Sequence, residues 1–476
     1  MAKSVIYYVA VWMSLIGVVA NGAENENNSS TASRSLSLLQ RLHVPQPSDS
    51  WEIDSYFGGY RVKLALPKEL DRIDALPEEI RGSVRQRIEF RRRNIDVLRK
   101  SAMDMDRILS KNRVAHVAEY EQKLERVVMS LPPSQINGTE SPMVLHEPVL
   151  NALPDYTKVD FFLQESLIPQ VTQRLQMLGM EHRVRLHGEQ EYEFNEAGIS
   201  LRHHTTRWMR DVFWLTSNQT KPNQTKPNQT RSGQGSILLL PLAFYQINDL
   251  SRPDNDYVRK LEDVRHKVVR VPLFFKGGNL LVGSADKRRI LFIGEDELKL
   301  NQDFYYNAFF YFPPQKEVLE LFRQLAGADE VRILPNSKHL FHLDMMMAVL
   351  NPKTVALIKP VDADALDKND HRVIAEARQI LMEYGFRMVD IPTLADWVNT
   401  FKSPINIIPF TNRDSGRLTA FVPQFEDKLV MIKGRAVSIR QEIKQAYAEA
   451  GVEAIFAESS FYQFGGNFHC AILPVE

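Results

Sequence analysis

The chain has 476 residues, 44% hydrophobic and 25% charged, with 59 Lys and Arg against 59 Asp and Glu for a formal net charge of zero. These proportions belong to a folded protein of one large or two modest domains and exclude fibrous and low-complexity chains. Balanced charge gives no drive toward nucleic acid or an anionic membrane surface as the main partner.

Lys3 precedes an apolar run from Val5 to Ala20, and small residues follow through Ala23. Residues 1–23 read as a secretory signal peptide, which implies a secreted or periplasmic protein. The run is marginal in length for a membrane span, so an uncleaved anchor is the alternative. No other segment of the sequence reads as a membrane span. Residues 24–50, rich in Asn and Ser, read as a disordered linker. Residues 51–135 read as a helical extension, because from Leu76 to Leu131 the chain is rich in helix formers and nearly free of Gly and Pro. One long helix or a helical hairpin is expected there, closed by Pro132-Pro133. The cluster Arg85, Arg87, Arg91, Arg92 and Arg93 reads as its solvated face. The repeated sequence Asn218-Gln219-Thr220-Lys221-Pro222, which recurs at Asn223 and begins again at Asn228, reads as an exposed loop. Its sequons, and the one at Asn137, mark exposure.

From residue 140 to 476 one pattern recurs: strand, helix, strand, strand. The first unit runs Val159–Leu163, a helix through Leu167, Val171 and Leu175, then Val184–Leu186 and Trp208–Leu215. The later units open at Ile237, Ile290, Val355 and Leu418. Glycine follows four of the five helices, as a left-handed cap requires. With the last strand of each unit marked by Asp211, Gly277, His342, Asn406 and Cys470, the steps are 66, 65, 64 and 64 residues. A near-constant period is the mark of a repeat architecture, and five such units fit radial closure about an axis. The expected fold is therefore α/β, a five-bladed pseudo-symmetric propeller with the last strands converging on one pocket.

That pocket would collect Trp208, Arg210 and Asp211, then Gly277, Gly278 and Asn279, then His342 and Asp344, then Asn406, and finally Gly466 and Cys470. Cys470 is the only cysteine. An unpaired thiol in an exported chain has no intrachain disulfide partner, and nucleophilic catalysis is the leading reason to keep one. Two carboxylates suit a planar guanidinium, which gives each of them paired N–H donors. The thiolate then attacks the guanidinium carbon, and the imidazole protonates departing ammonia and later deprotonates water. His339, His342 and Asp344 have the look of metal ligands, but no third cluster at ligand spacing accompanies them, so no metal is expected.

The run W-x-R-D at Trp208–Asp211, Gly277-Gly278, H-x-D at His342–Asp344, the strand after Asn406 leading to Val422-Pro423-Gln424-Phe425, and G-G-N-x-H-C ending at Cys470 together resemble the agmatine deiminase and bacterial peptidylarginine deiminase family. These are guanidine-modifying enzymes of the pentein fold, the five-bladed α/β propeller. The resemblance covers residues 140–476. It implies Cys470 as nucleophile, His342 as general acid and base, Asp211 and Asp344 as guanidinium carboxylates, Asn406 as a pocket residue, and no cofactor. It implies as substrate a small guanidino compound such as agmatine or arginine, or arginine in a protein.

Two positions depart from the family. Lys276 stands where a carboxylate is common, and Val212-Phe213-Trp214 where agmatine deiminases have Thr-Gly-Pro. Lys276 is expected to point away from the pocket. Amidino transfer to an amine, and a pentein-scaffold binding protein without turnover, are the two alternatives.

Overall fold

Each of the long crossover helices carries its apolar residues on one face and stops where a glycine takes the left-handed conformation. Gln315–Ala326 buries Val318, Leu321, Phe322 and Leu325, and Lys368–Glu383 buries Val373, Ala377 and Leu381. Gly179, Gly327, Gly385 and Gly451, which follow the four helices, have φ of 68°, 60°, 73° and 77°. The structure is a computed structural model that describes residues 42, 51–57, 60–66, 68–111, 113–131, 143–189, 192–196, 199–203, 208–219, 236–242, 256–262, 266–285, 288–309, 313–432 and 434–475. The signal peptide expected at 1–23, nearly all of the 24–50 linker, the sequon at Asn137 and residues 220–230 of the Asn-Gln-Thr repeat lie outside them. Among the described residues no helix is long and apolar enough to cross a membrane.

Five sheets share one plan: an antiparallel pair followed by a parallel neighbour. Trp214–Gln219 runs antiparallel to Ser236–Leu240, which is parallel to His266–Arg270. Leu280–Ala285, Arg288–Gly294 and Glu330–Leu334 repeat it, as do Met347–Asn351, Thr354–Pro360 and Arg387–Thr393, and Ile408–Thr411, Leu418–Gln424 and Glu453–Glu458. In the fifth sheet Leu473–Pro474 is antiparallel to Arg126–Leu131, and the parallel strands Lys158–Gln164 and Val184–Glu189 follow. The last strand of each sequence unit therefore belongs to the sheet of the next unit. This mixed α/β plan follows from the connections, since parallel neighbours need a crossover and antiparallel ones only a turn.

Residues 51–135 differ from the helical extension expected of them. A hairpin pairs Trp51–Phe57 with Tyr60–Leu66, and the helix is Glu78–Lys111. Its buried residues Ile80, Val84, Ile88, Arg91, Ile95, Leu98, Ala102, Met105 and Ile108 recur every three to four positions, as an amphipathic helix requires. Arg85, Arg87, Arg92 and Arg93 are exposed, whereas Arg91 is buried among the apolar positions. Beyond the helix the chain turns to strand. Arg113–His116 pairs with Trp214–Gln219, and Arg126–Leu131 lies between Lys158–Gln164 and Leu473–Pro474. Five of the six residues in Arg126–Leu131 are buried. A strand covered on both faces reads as an unbroken apolar run, and periodicity does not separate it from a helix.

Candidate active site

The residues expected on the last strands stand instead in short helical turns just ahead of them: Met209–Val212, Gly277–Asn279, Leu343–Met345 and Phe468–Ala471. Asn406 lies two residues before Ile408–Thr411. A strand would send neighbouring side chains to opposite faces. A tight turn instead lets His342 and Asp344, or His469 and Cys470, serve one cluster. The Gly-Gly turn makes the close approach possible. A Cβ on Gly277 would collide with the carbonyl oxygen of Arg210, and one on Gly278 would sit 2.6 Å from Asp344 Oδ2 and 3.1 Å from His342 Nδ1.

Cys470 is buried, and its thiol donates to Asp344 Oδ2 at 3.3 Å. Asn406 Nδ2 donates to the sulfur at 3.2 Å, and Asn406 Oδ1 accepts from the backbone N–H of His469 at 2.9 Å. Asn406 thus shapes the turn that carries Cys470. The Gly278 N–H donates to Asp211 Oδ1 at 3.3 Å, and His342 Nδ1 lies 4.0 Å from the same oxygen. Neither ring nitrogen of His342 has a hydrogen-bond partner among the described residues. Donor atoms of His342, Asp344 and Cys470 lie within 4.8 Å of one another. That spacing would also admit a cation, and Asp344 Oδ2 accepts from both Cys470 and His469.

Burial sets the protonation states. It pushes the Cys470 thiol well above its ordinary range, helped by the charges of Asp344 and Asp211. It lowers His342, leaving a neutral imidazole, and raises Asp211. A cation arriving between these carboxylates reverses the electrostatics acting on the thiol and favours its ionised form.

Several expected pocket residues have other duties. Arg210 is 1% exposed and its Nη2 lies 2.7 Å from Glu119 Oε1 in a buried ion pair. Glu119 takes one end of the guanidinium, expected to bind substrate, while Nε and Nη1 have no hydrogen-bond partner among the described residues. Asn279 accepts from the Leu343 N–H at 3.0 Å and donates to Glu297 Oε1 at 3.1 Å. It braces the His342–Asp344 turn from behind. Gly466 lies beneath the Trp208 ring, where a Cβ would approach to 2.8 Å, and Trp208 packs against two of the hydrophobic clusters.

Three residues were missed. Glu119 and His469 extend the cluster behind Asp344: His469 Nδ1 is 2.7 Å from Asp344 Oδ2, and His469 Nε2 is 2.9 Å from Glu119 Oε1. His469 stood in view, next to the cysteine in its motif. Glu119 carried no signal, lying 350 residues away from its histidine. The third, Glu297, is 1% exposed, its Oε2 has no hydrogen-bond partner among the described residues, and burial pushes its carboxyl up to about 8.

Lys276, expected to point away, stands immediately ahead of the Gly277–Asn279 turn. It is half-buried, and its charge acts on Asp211, Glu297 and His342 alike.

Glu297 yields a signed prediction. Its folded-state pKa lies above the ordinary value, so its contribution to stability is full below about pH 4.5 and is lost as pH rises through about 8. Glu297→Gln is expected to melt above the parent at pH 8.5, with the gap closing at pH 4.5. Parallel melting curves at the two pH values would contradict this.

No protein-family profile and no curated sequence matches the chain. Solved structures do. The chain has the mixed α/β fold of pentein structures. It superposes on the agmatine deiminase of C. jejuni with a TM-score of 0.50 at 12% identity, covering 76% of this chain and 96% of that one. A cysteine-to-serine form of that enzyme, solved with substrate bound, matches with the same TM-score, identity and coverage. A provisionally assigned arginine deiminase of Porphyromonas gingivalis matches with a TM-score of 0.50 at 13% identity, covering 76% and 97%. At such identity the likeness establishes the fold, and the resemblance read from the motifs holds at that level.

Proposed function

We propose that the protein is a guanidine deiminase, converting a guanidinium group to a ureido group plus ammonia. The observation that carries this reading is the convergence of one thiol, one neutral imidazole and two carboxylates within a few ångströms, from sequence positions as far as 259 residues apart. Its similarity to deiminase structures supports the same class of chemistry.

Asp211 and the open oxygen of Asp344 accept the guanidinium N–H groups and hold the carbon flat beside Cys470. The thiol proton passes to His342 as sulfur bonds to that carbon, giving a tetrahedral adduct. The imidazolium returns the proton to the departing nitrogen, and ammonia leaves a thiouronium. Water then attacks the same carbon while His342 takes its proton; the carbon–sulfur bond breaks as the imidazolium returns that proton to sulfur, and the ureido product forms as its hydroxyl proton passes to solvent. No cofactor takes part.

The five sheets, with Leu473–Pro474 paired to Arg126–Leu131, support the radial five-bladed arrangement, and we extend the proposal to it. We further assign residues 1–23 as an export signal, residues 24–50 as a linker and residues 140–476 as the pentein domain, with strands 113–131 completing its sheets. Export away from cytosolic polyamine metabolism favours arginine in peptides or a scavenged guanidino substrate.

The test is ammonia release by the protein offered agmatine, arginine and an arginine-containing peptide. Release from one of them supports the proposal and names its substrate class; added acceptor amine that suppresses ammonia and yields a new guanidine would instead mark a transferase. The position of Lys276 favours a second reading, a guanidine-binding protein without turnover. Silence of the parent with all three substrates, together with activity in Lys276→Glu, would establish that the lysine is what blocks catalysis.

A further inference from the structure

We propose that Glu119 is a positioning residue of this site: through His469 it fixes Asp344 so that one carboxylate oxygen is occupied and the other is left open to the substrate. The substrate half of this statement rests on the deiminase reading; the charge arrangement does not.

Glu119 opens the short turn Glu119–Glu121, between the strands Arg113–His116 and Arg126–Leu131. It is 8% exposed, and both its oxygens face His469 Nε2, at 2.9 and 3.0 Å. On the other side of the ring Nδ1 lies 2.7 Å from Asp344 Oδ2. A neutral imidazole has one N–H and one lone pair. Between two carboxylates that lone pair would meet an acceptor, so the ring carries both protons and donates both ways. The carboxylates accordingly raise His469 to about 9 against the cost of burial, and Arg210 and His469 hold Glu119 down at about 2. The result is a buried row of alternating charge: Arg210, Glu119, His469, Asp344.

Asp344 receives the effect. Its Oδ2 accepts from both His469 and Cys470. Its Oδ1 is buried with no hydrogen-bond partner among the described residues. A buried carboxylate oxygen without a donor is rare and calls for an occupant. A guanidinium N–H is a charged donor of the kind this oxygen lacks. Packing alone would not require the row to be charged. Besides Glu119 and Asp344, the charged or titratable groups around the imidazole are Arg210, Cys470 beside it in the chain, His116 beyond Glu119 and Asp211 beyond Asp344.

Glu119→Gln separates charge from shape. Glutamine can still accept from Arg210 and can donate its own N–H to a neutral His469, which keeps Nδ1–H on Asp344. Two measurements on the full chain need no substrate. In histidine carbon NMR, with the His469 signal identified by its loss in His469→Gln, the parent ring is expected to stay protonated through pH 8 and the Glu119→Gln ring to titrate at least 1.5 pH units lower. Cys470, the only cysteine, is expected to react with iodoacetamide about tenfold more slowly at pH 8 in Glu119→Gln. With His469 neutral, the Asp344 charge is no longer offset and the thiolate beside it is harder to form.

A parent His469 that titrates below pH 7, or unchanged alkylation in folded Glu119→Gln, overturns the proposal. If Glu119→Gln does not fold, the parent titration decides alone. A parent that turns over no guanidine defeats the deiminase reading while leaving both measurements intact. Where turnover is found, Glu119→Gln should raise KM for the cation about tenfold, with a smaller change in kcat.

Discussion

Cys470→Ser is expected to abolish ammonia release, with kcat down by about 10⁴-fold or more, while the protein stays folded and still binds guanidines. The serine hydroxyl is close in size to the thiol and can donate to Asp344 Oδ2 and accept from Asn406 Nδ2 as the thiol does, so the turn Phe468–Ala471 has no reason to rearrange. What is lost is ionisation. A hydroxyl between Asp344 and Asp211 loses its proton far less readily than a thiol, even with a cation bound. Calorimetry on Cys470→Ser should therefore return guanidine binding close to that of the parent, with no turnover. Turnover within tenfold of the parent would remove Cys470 from the mechanism.

Arg210→Met is expected to cost about 3–5 kcal/mol of stability, because it strips a buried carboxylate of its principal counter-ion. The ion pair spans two buried side chains, at 1% and 7% exposure. Urea unfolding measures the loss, and Arg210→Met with Glu119→Leu should recover most of it, since removing both charges leaves no orphan. If Arg210 bound substrate, as its motif position implied, stability would hold and KM alone would rise.

The chemistry-bearing residues of the site were legible because each sits in a short motif and the motifs recur at a fixed step. Cys470, His342, Asp344, Asp211 and Asn406 come together as that period requires. The local geometry was not legible. A run such as His342–Leu350 has the composition of a strand, and only the packing of Gly278 against Asp344 shows that its first residues form a turn. Arg126–Leu131 was concealed by the helix-rich composition around it, although its partners lie 32 and 345 residues away. Duties shared between distant segments, such as that of Arg210, leave no trace in any one of them.

The separations that define the site also govern how it is acquired. The bond from Glu119 to His469 closes a span of 350 residues, that from Cys470 to Asp344 a span of 126, and that from Asn406 to Cys470 a span of 64. Contacts at such range lose chain entropy before they gain anything, and they form late in folding. Sheets such as Arg288–Gly294 with Glu330–Leu334 close over far shorter loops and can form first. During refolding from denaturant, secondary structure should return ahead of the cluster around Cys470, and the thiol should stay open to alkylation until the final step.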